Sequence, residues 1–260
     1  MNQNRDIKWF LILECVIYIV FTTIDVCSNN PSWIHISVAL KLISIGLCFV
    51  FLGQMAYANP DNRDGRLMVL IMSLTLASDV FLLLTRQFTY GLILFVCVQL
   101  LYSIRIQKRV NLKSLLIKGI LFIVSLYFFM KQMPQQHSYA LMLSLGAFYA
   151  LLFAWNLILL TCEIWTTTRT ASESSTVLHL TRVANDHNTV YDSRLFIIGL
   201  VLYALCDLNV AIYNFPSFFD SNVMMLWLYK NSNIAMWLFY LPGQVALTLS
   251  VRLKVDVKSG

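Results

Sequence analysis

The chain reads as an all-α, polytopic membrane protein, one domain of eight transmembrane helices over residues 1–260. Three observations predict this. Of its residues 58% are hydrophobic and only 12% charged, about half the charged share of a soluble domain. The mean hydropathy is +0.69. The apolar residues also fall into runs long enough to cross a bilayer, which takes about 20 residues of helix.

The first run, near 9 to 27, begins at Trp9 and carries Glu14. It is too long for the apolar part of a signal peptide and has no small-residue cleavage site, so it is expected to remain as a span. The second, 33 to 57, holds Lys41; the third, 67 to 85, opens after Arg66 and holds Asp79. The fourth, 88 to 104, holds Gln99 and Tyr102; the fifth, 114 to 131, holds Lys118; the sixth runs from 139 to 163. The seventh, 195 to 214, opens after Arg194 and holds Asp207, and the eighth, 234 to 251, holds Gln244. The stretch from about 166 to 193 is long, polar and rich in Ser and Thr, with His179 and His187. It is expected to be a flexible cytoplasmic loop or an interfacial segment, with a lid over a substrate entrance as the further alternative.

Charge predicts orientation, because Lys and Arg accumulate in cytoplasmic loops. Arg5, Lys8, Arg63, Arg66, Arg105, Lys108, Arg109, Lys113, Arg169, Arg182, Arg194, Arg252, Lys254 and Lys258 fall on one side of the eight spans, and Arg86, Lys131 and Lys230 on the other. Both termini are therefore expected in the cytoplasm. The net charge of +6 is explained by this topology, and no nucleic-acid partner is expected. The partners expected are membrane lipids; the oligomeric state is open.

The 6 cysteines lie within or at the ends of apolar runs without CxxC spacing, as packing residues do. His137, His179 and His187 fall in loops on opposite sides and His35 stands alone. That pattern offers neither a histidine zinc site nor a Ser-His-Asp set. Without a GxxxxGK[ST] or GxGxxG signature, no nucleotide chemistry is indicated. No cofactor or metal is expected.

Candidate functional residues follow from depth. Asp79 and Asp207 each stand 13 residues beyond an arginine that opens their span, which puts both about 20 Å into the membrane. An ionisable group there is costly and marks a functional site by default. Counted from the opposite surface, Lys41 lies about 12 Å deep, Asp79 about 10 Å, and Gln99 and Gln244 about 17 Å. Together they are expected to line a polar cavity inside the bundle. Glu14 and Lys118 sit nearer the inner face, where structural pairing or snorkelling suits them. Tyr102 fits either a substrate contact or an interfacial anchor. Gly91 and Gly199 suit close helix approach. Ala77-Ser78-Asp79 is echoed by Ala204-Leu205-Cys206-Asp207, each followed one span later by a glutamine. The echo suggests two parallel four-helix halves. For the aspartates themselves, general acid/base catalysis, a proton or ion relay, and structural pairing with Lys41 all remain open.

Particular residues carry a further resemblance. Lys41 in the second span, Ser78-Asp79 with Leu82, Phe88, Gly91-Leu92, Phe95, Gln99 and Tyr102, then Gly199 through Cys206-Asp207 and Phe215, and Tyr240 to Gln244 resemble the YhhN-like lysoplasmalogenases, eight-span membrane hydrolases. The chain departs from that pattern at Ser78, where the family usually has glycine, at Gln99 for histidine, at Cys206 for serine and at Leu42 for proline. The resemblance implies hydrolysis of the vinyl ether of a lysoplasmalogen, a lysophospholipid, to a fatty aldehyde and a glycerophospho-base. Such a bond breaks by slow protonation of carbon followed by water attack on an oxocarbenium ion. It therefore needs an acid that is protonated near neutral pH and a base nearby, and burial of paired carboxyls supplies both. On this reading Asp79 and Asp207 are the acid and its partner, while Lys41, Gln99, Tyr102 and Gln244 meet the substrate or its water. The alternative is a lipid-binding or transport relative that has lost catalysis with the family's histidine.

Overall fold

The structure, a computed structural model, describes residues 3–27, 31–85, 87–108, 112–135, 137–173, 192–214 and 223–251. Among these there are eight α-helices and no strand: α1 (Gln3–Cys27), α2 (Pro31–Ala58), α3 (Arg63–Val80), α4 (Phe88–Gln107), α5 (Leu112–Gln132), α6 (His137–Glu173), α7 (Ser193–Asn214) and α8 (Val223–Leu249). A π-helical turn, Phe81–Thr85, extends α3. Six of them, α1 to α6, are long and apolar enough to cross a membrane; α7 and α8 have 22 and 27 residues.

Local chemistry sets several helix ends. Pro31 opens α2, where its missing N–H costs nothing. The Asn62 side chain caps α3 by accepting from the Gly65 N–H at 3.1 Å, and Asp192 caps α7 by accepting from Arg194 N–H at 3.0 Å. Lys108 closes α4 in the left-handed region, φ 56°. The polar stretch expected to begin near 166 begins later, since α6 runs on to Glu173. Thr166 to Glu173 contains no Gly or Pro, and an established helix gains a hydrogen bond with each residue it adds. Residues 174–191, with His179 and His187, lie outside the described residues, as do Arg86, Phe215 and the tail from 252.

The chain forms two compact units, one of residues 1–61 with 192–260, the other of 62–191. The first contains α1, α2, α7 and α8, the second α3 to α6. The expected halves, spans one to four and five to eight, are therefore not the compact units. Helices joined by short connections pack as hairpins, and the two end hairpins associate with each other.

Within the first unit, α1 and α2 are antiparallel, with Phe10 stacked on Phe51 at 4.3 Å. The α7–α8 pair is also antiparallel, tied by Asp192 N–H donating to Ser250 O at 2.7 Å and by Tyr203 against Tyr240 at 5.4 Å. Close approach depends on glycine here. A Cβ on Gly199 would come within 2.6 Å of Leu247 Cγ and 3.1 Å of the Gly243 carbonyl. Pro242, inside α8, has no N–H for the carbonyl four residues earlier. That carbonyl, Leu238 O, accepts instead from the Tyr18 hydroxyl of α1 at 3.3 Å.

Within the second unit, α3 and α4 are antiparallel. Arg105, expected in a loop, is instead buried in the last turn of α4, because it makes a two-pronged ion pair with buried Asp64, at 2.7 and 2.8 Å. At the other end of the hairpin a Cβ on Gly91 would lie 2.7 Å from Leu82 and 3.3 Å from Ser78 O. The parallel pair α4 and α6 meet through Phe95 and Tyr149 at 6.1 Å. Antiparallel to α6, α5 packs by Phe122 on Phe148 at 5.1 Å. Its other faces expose Leu116, Ile120, Val124 and Phe128, as a lipid-solvated helix does.

Gly199→Ala is expected to lower stability by about 1–3 kcal/mol through overpacking. Gly46→Ala, whose Cβ meets nothing within 4 Å, should be neutral or add up to about 1 kcal/mol through helix propensity. Thermal unfolding of the two variants in detergent checks the contrast.

Candidate functional site

Asp79 is buried in the last turn of α3, two residues before the start of the π-helical turn at Phe81. The Phe81 N–H is shared between the carbonyls of Ala77 and Ser78, so the backbone changes pitch around the carboxylate. Turns of this kind cluster at functional sites. The Ser78 hydroxyl, fully buried, donates to Gly91 O on α4 at 2.6 Å. Since Ser78 faces Gly91 and Asp64 faces Arg105, Asp79 stands level with Tyr90, whose ring is 5.9 Å from that of Phe81.

Gln99 lies roughly 13 Å further along α4, so the structure does not bring it to Asp79. Its amide is engaged at both ends: Nε2 donates to Tyr149 Oη at 3.3 Å and Oε1 accepts from Asn156 Nδ2 at 2.9 Å. Asn156 also donates to Gln99 O at 2.9 Å and accepts from Ser103 Oγ at 2.5 Å. This network joins α4 to α6. Tyr102, one turn on, is fully buried between helices rather than anchored at an interface.

Lys41, Asp207 and Gln244 belong to the first unit. The Lys41 ammonium pairs with Asp25 of α1 at 2.7 Å, and Ser37 Oγ donates to the other Asp25 oxygen at 2.5 Å. The cation also lies 4.6 Å from the Trp237 ring and 5.6 Å from that of Phe21, a partly aromatic enclosure. Asp207 is half-buried on α7 beside buried Cys206. The α7–α8 register, with Tyr203 facing Tyr240 and Asp192 facing Ser250, puts Asp207 level with Trp237 and so with Lys41. Gln244 is deeper on α8, completely buried, and neither amide atom has a hydrogen-bond partner among the described residues. The Glu14 carboxylate is met by Ser44 Oγ and by Cys48 Sγ at 3.5 Å, both from α2.

Asp25, Asn156, Ser44 and the buried Asp64–Arg105 pair were not legible as partners from the spans alone. A signal existed for some of them. Ser37, Lys41, Ser44 and Cys48 share one face of α2 at helical spacing, as Glu14 and Asp25 do on α1. The pairing of Asp64 with Arg105 has no local signature.

Helices that expose apolar flanks while burying carboxylates, amides and a lysine between them define a multi-pass membrane protein with a polar interior. The model of the YhhN family matches residues 36–251, and the chain belongs to that family. The match takes in Lys41, Asp79, Gln99, Asp207 and Gln244 and leaves Glu14 and Asp25 before it. No curated protein and no solved structure matches the chain.

Gln99→Leu and Asn156→Leu should each destabilise by about 1–3 kcal/mol, because each leaves the other amide unpaired. The double variant should lose less than the sum, with a coupling of about 0.5–3 kcal/mol in an unfolding cycle.

Proposed function

We propose that this YhhN protein is a membrane-embedded lysophospholipid hydrolase that cleaves the vinyl ether of lysoplasmalogens, with Asp79 and Asp207 as its acid and base. The observation that carries the reading is the setting of Asp79. It is a buried carboxyl within the family match, at a π-helical turn, with its helix hairpin locked by Ser78 and Gly91. Structural pairing alone does not require that change of pitch.

In the reaction, one aspartic acid donates a proton to the vinyl carbon remote from oxygen. Water then adds to the oxocarbenium carbon, and the other aspartate takes its proton; the hemiacetal collapses to aldehyde and glycerophospho-base. Lys41, level with Asp207, supports the substrate's anionic headgroup or the ionised form of that aspartate. Gln99 serves chiefly to hold α4 on α6. We read α7 and α8 as the seventh and eighth crossings, with both termini cytoplasmic and the substrate arriving laterally from the lipid. The engaged Gln99 amide, standing where the family has a titratable histidine, favours the competing reading of a lipid-binding or transport relative.

The purified protein in detergent is expected to release aldehyde from a lysoplasmalogen. Asp79→Asn and Asp207→Asn, each with an unchanged unfolding midpoint, should lower turnover by about 100-fold or more. Full activity in either variant would remove that aspartate from the mechanism. A folded parent that binds the lipid and releases no aldehyde would leave the lipid-binding reading in its place.

A further inference from the structure

Three helix faces of the first unit converge below Lys41. Trp237, Leu241, Gln244 and Thr248 share one face of α8 at helical spacing. Its ends are fixed by contact: Trp237 lies over Lys41 at 4.6 Å, and Thr248 lies beside Cys48. Gln244, between them on that face, therefore stands at the level of Ser44 of α2 and Glu14 of α1. Here the buried Glu14 carboxylate has, among the described residues, a hydroxyl and a thiol as its donors. Opposite it, Gln244 is 0% exposed with both amide atoms unpaired, and Thr248 Oγ1, equally buried, makes no hydrogen bond of good geometry even to Cys48.

A group with an unmet donor and an unmet acceptor requires a ligand that offers both. Lipid tails offer neither, and a bare cation would leave the Gln244 N–H groups unmet. Water meets both, and buried water characteristically joins polar groups of this kind. Apolar side chains bound the place on two sides, the Phe10–Phe51 stack at one end and the Ile17, Phe21 and Leu241 cluster at the other.

We propose that Glu14, Ser44, Cys48, Gln244 and Thr248 form an internal water-binding site within the span of α1, α2 and α8, where water bridges the Gln244 amide and the Thr248 hydroxyl to the Glu14 carboxylate. The site does not depend on the proposed reaction. Glu14 precedes the family match, so the acid of this site comes from α1, outside the matched segment.

Cys48, buried in the site, is its natural reporter. Hydroxyl radicals generated by a short radiolytic pulse arise from internal water and oxidise adjacent thiols, while Cys27, exposed at the end of α1, serves as reference. Oxidation of Cys48 is expected in the parent and should fall several-fold in Gln244→Leu and in Thr248→Val, with Cys27 unchanged. Gln244→Leu should also lower the unfolding midpoint, by about 2–4 °C or more, because the water loses its support and Glu14 its link. A protected Cys48 in the parent, together with a Gln244→Leu variant as stable as the parent or more so, would overturn the proposal. Removal of a dry, unpaired amide gives that opposite sign. Either readout is independent of turnover, so its failure is distinguishable from failure of the hydrolase reading.

Discussion

Hydrocarbon offers a polar side chain nothing to bond with, so a polar group inside a membrane helix must find its partner on another helix. Much of the architecture follows from that constraint. Lys41 is answered by Asp25, Arg105 by Asp64, Gln99 by Asn156, and Glu14 by Ser44 and Cys48. The carbonyl that Pro242 leaves without its helical donor is answered by Tyr18. Each contact joins two helices and fixes how far one has slid along the other. Such bonds between membrane helices contribute only about 0.6 kcal/mol on average, and a buried ion pair is weak evidence for stability. Their consequence is register: they set the level at which each carboxylate stands.

The departures from the family pattern fit into this arrangement. Ser78, in place of the usual glycine, uses its hydroxyl to bond Gly91 O beside Asp79. Gln99, in place of histidine, uses both ends of its amide in the α4–α6 network, a part that a neutral side chain plays without titrating. Neither substitution leaves an unmet group. Two of the departures that set this chain apart are thus absorbed into helix packing.

The helices were legible because their signal is long and strong: apolar runs of membrane length, punctuated by charge. All eight expected segments correspond to helices, with ends shifted where polar residues continue a helix, as at Thr166–Glu173 and Asn231–Asn233. The buried character of Asp79, Lys41, Gln99 and Gln244 was likewise readable, since depth follows from residue count. Partners were not. Arg105 looked like a loop cation because charge near a span's end usually is one, and only the fold brings Asp64 to it. The grouping of the end hairpins into one unit is a long-range outcome without local trace, and the echo around the aspartates pointed to a different division of the chain. Pro242 was visible, but the hydroxyl that answers its consequence comes from a helix more than 200 residues earlier.

Isotope placement during turnover tests most directly the claim that the buried carboxyls act by protonating carbon. In heavy water enriched in oxygen-18, with the product trapped at once by reduction, the account predicts one deuterium on the carbon next to the former carbonyl. It also predicts the heavy oxygen in the fatty product. Heavy oxygen in the glycerophospho-base instead would mean that the bond breaks on the glycerol side, and would contradict the proposed chemistry.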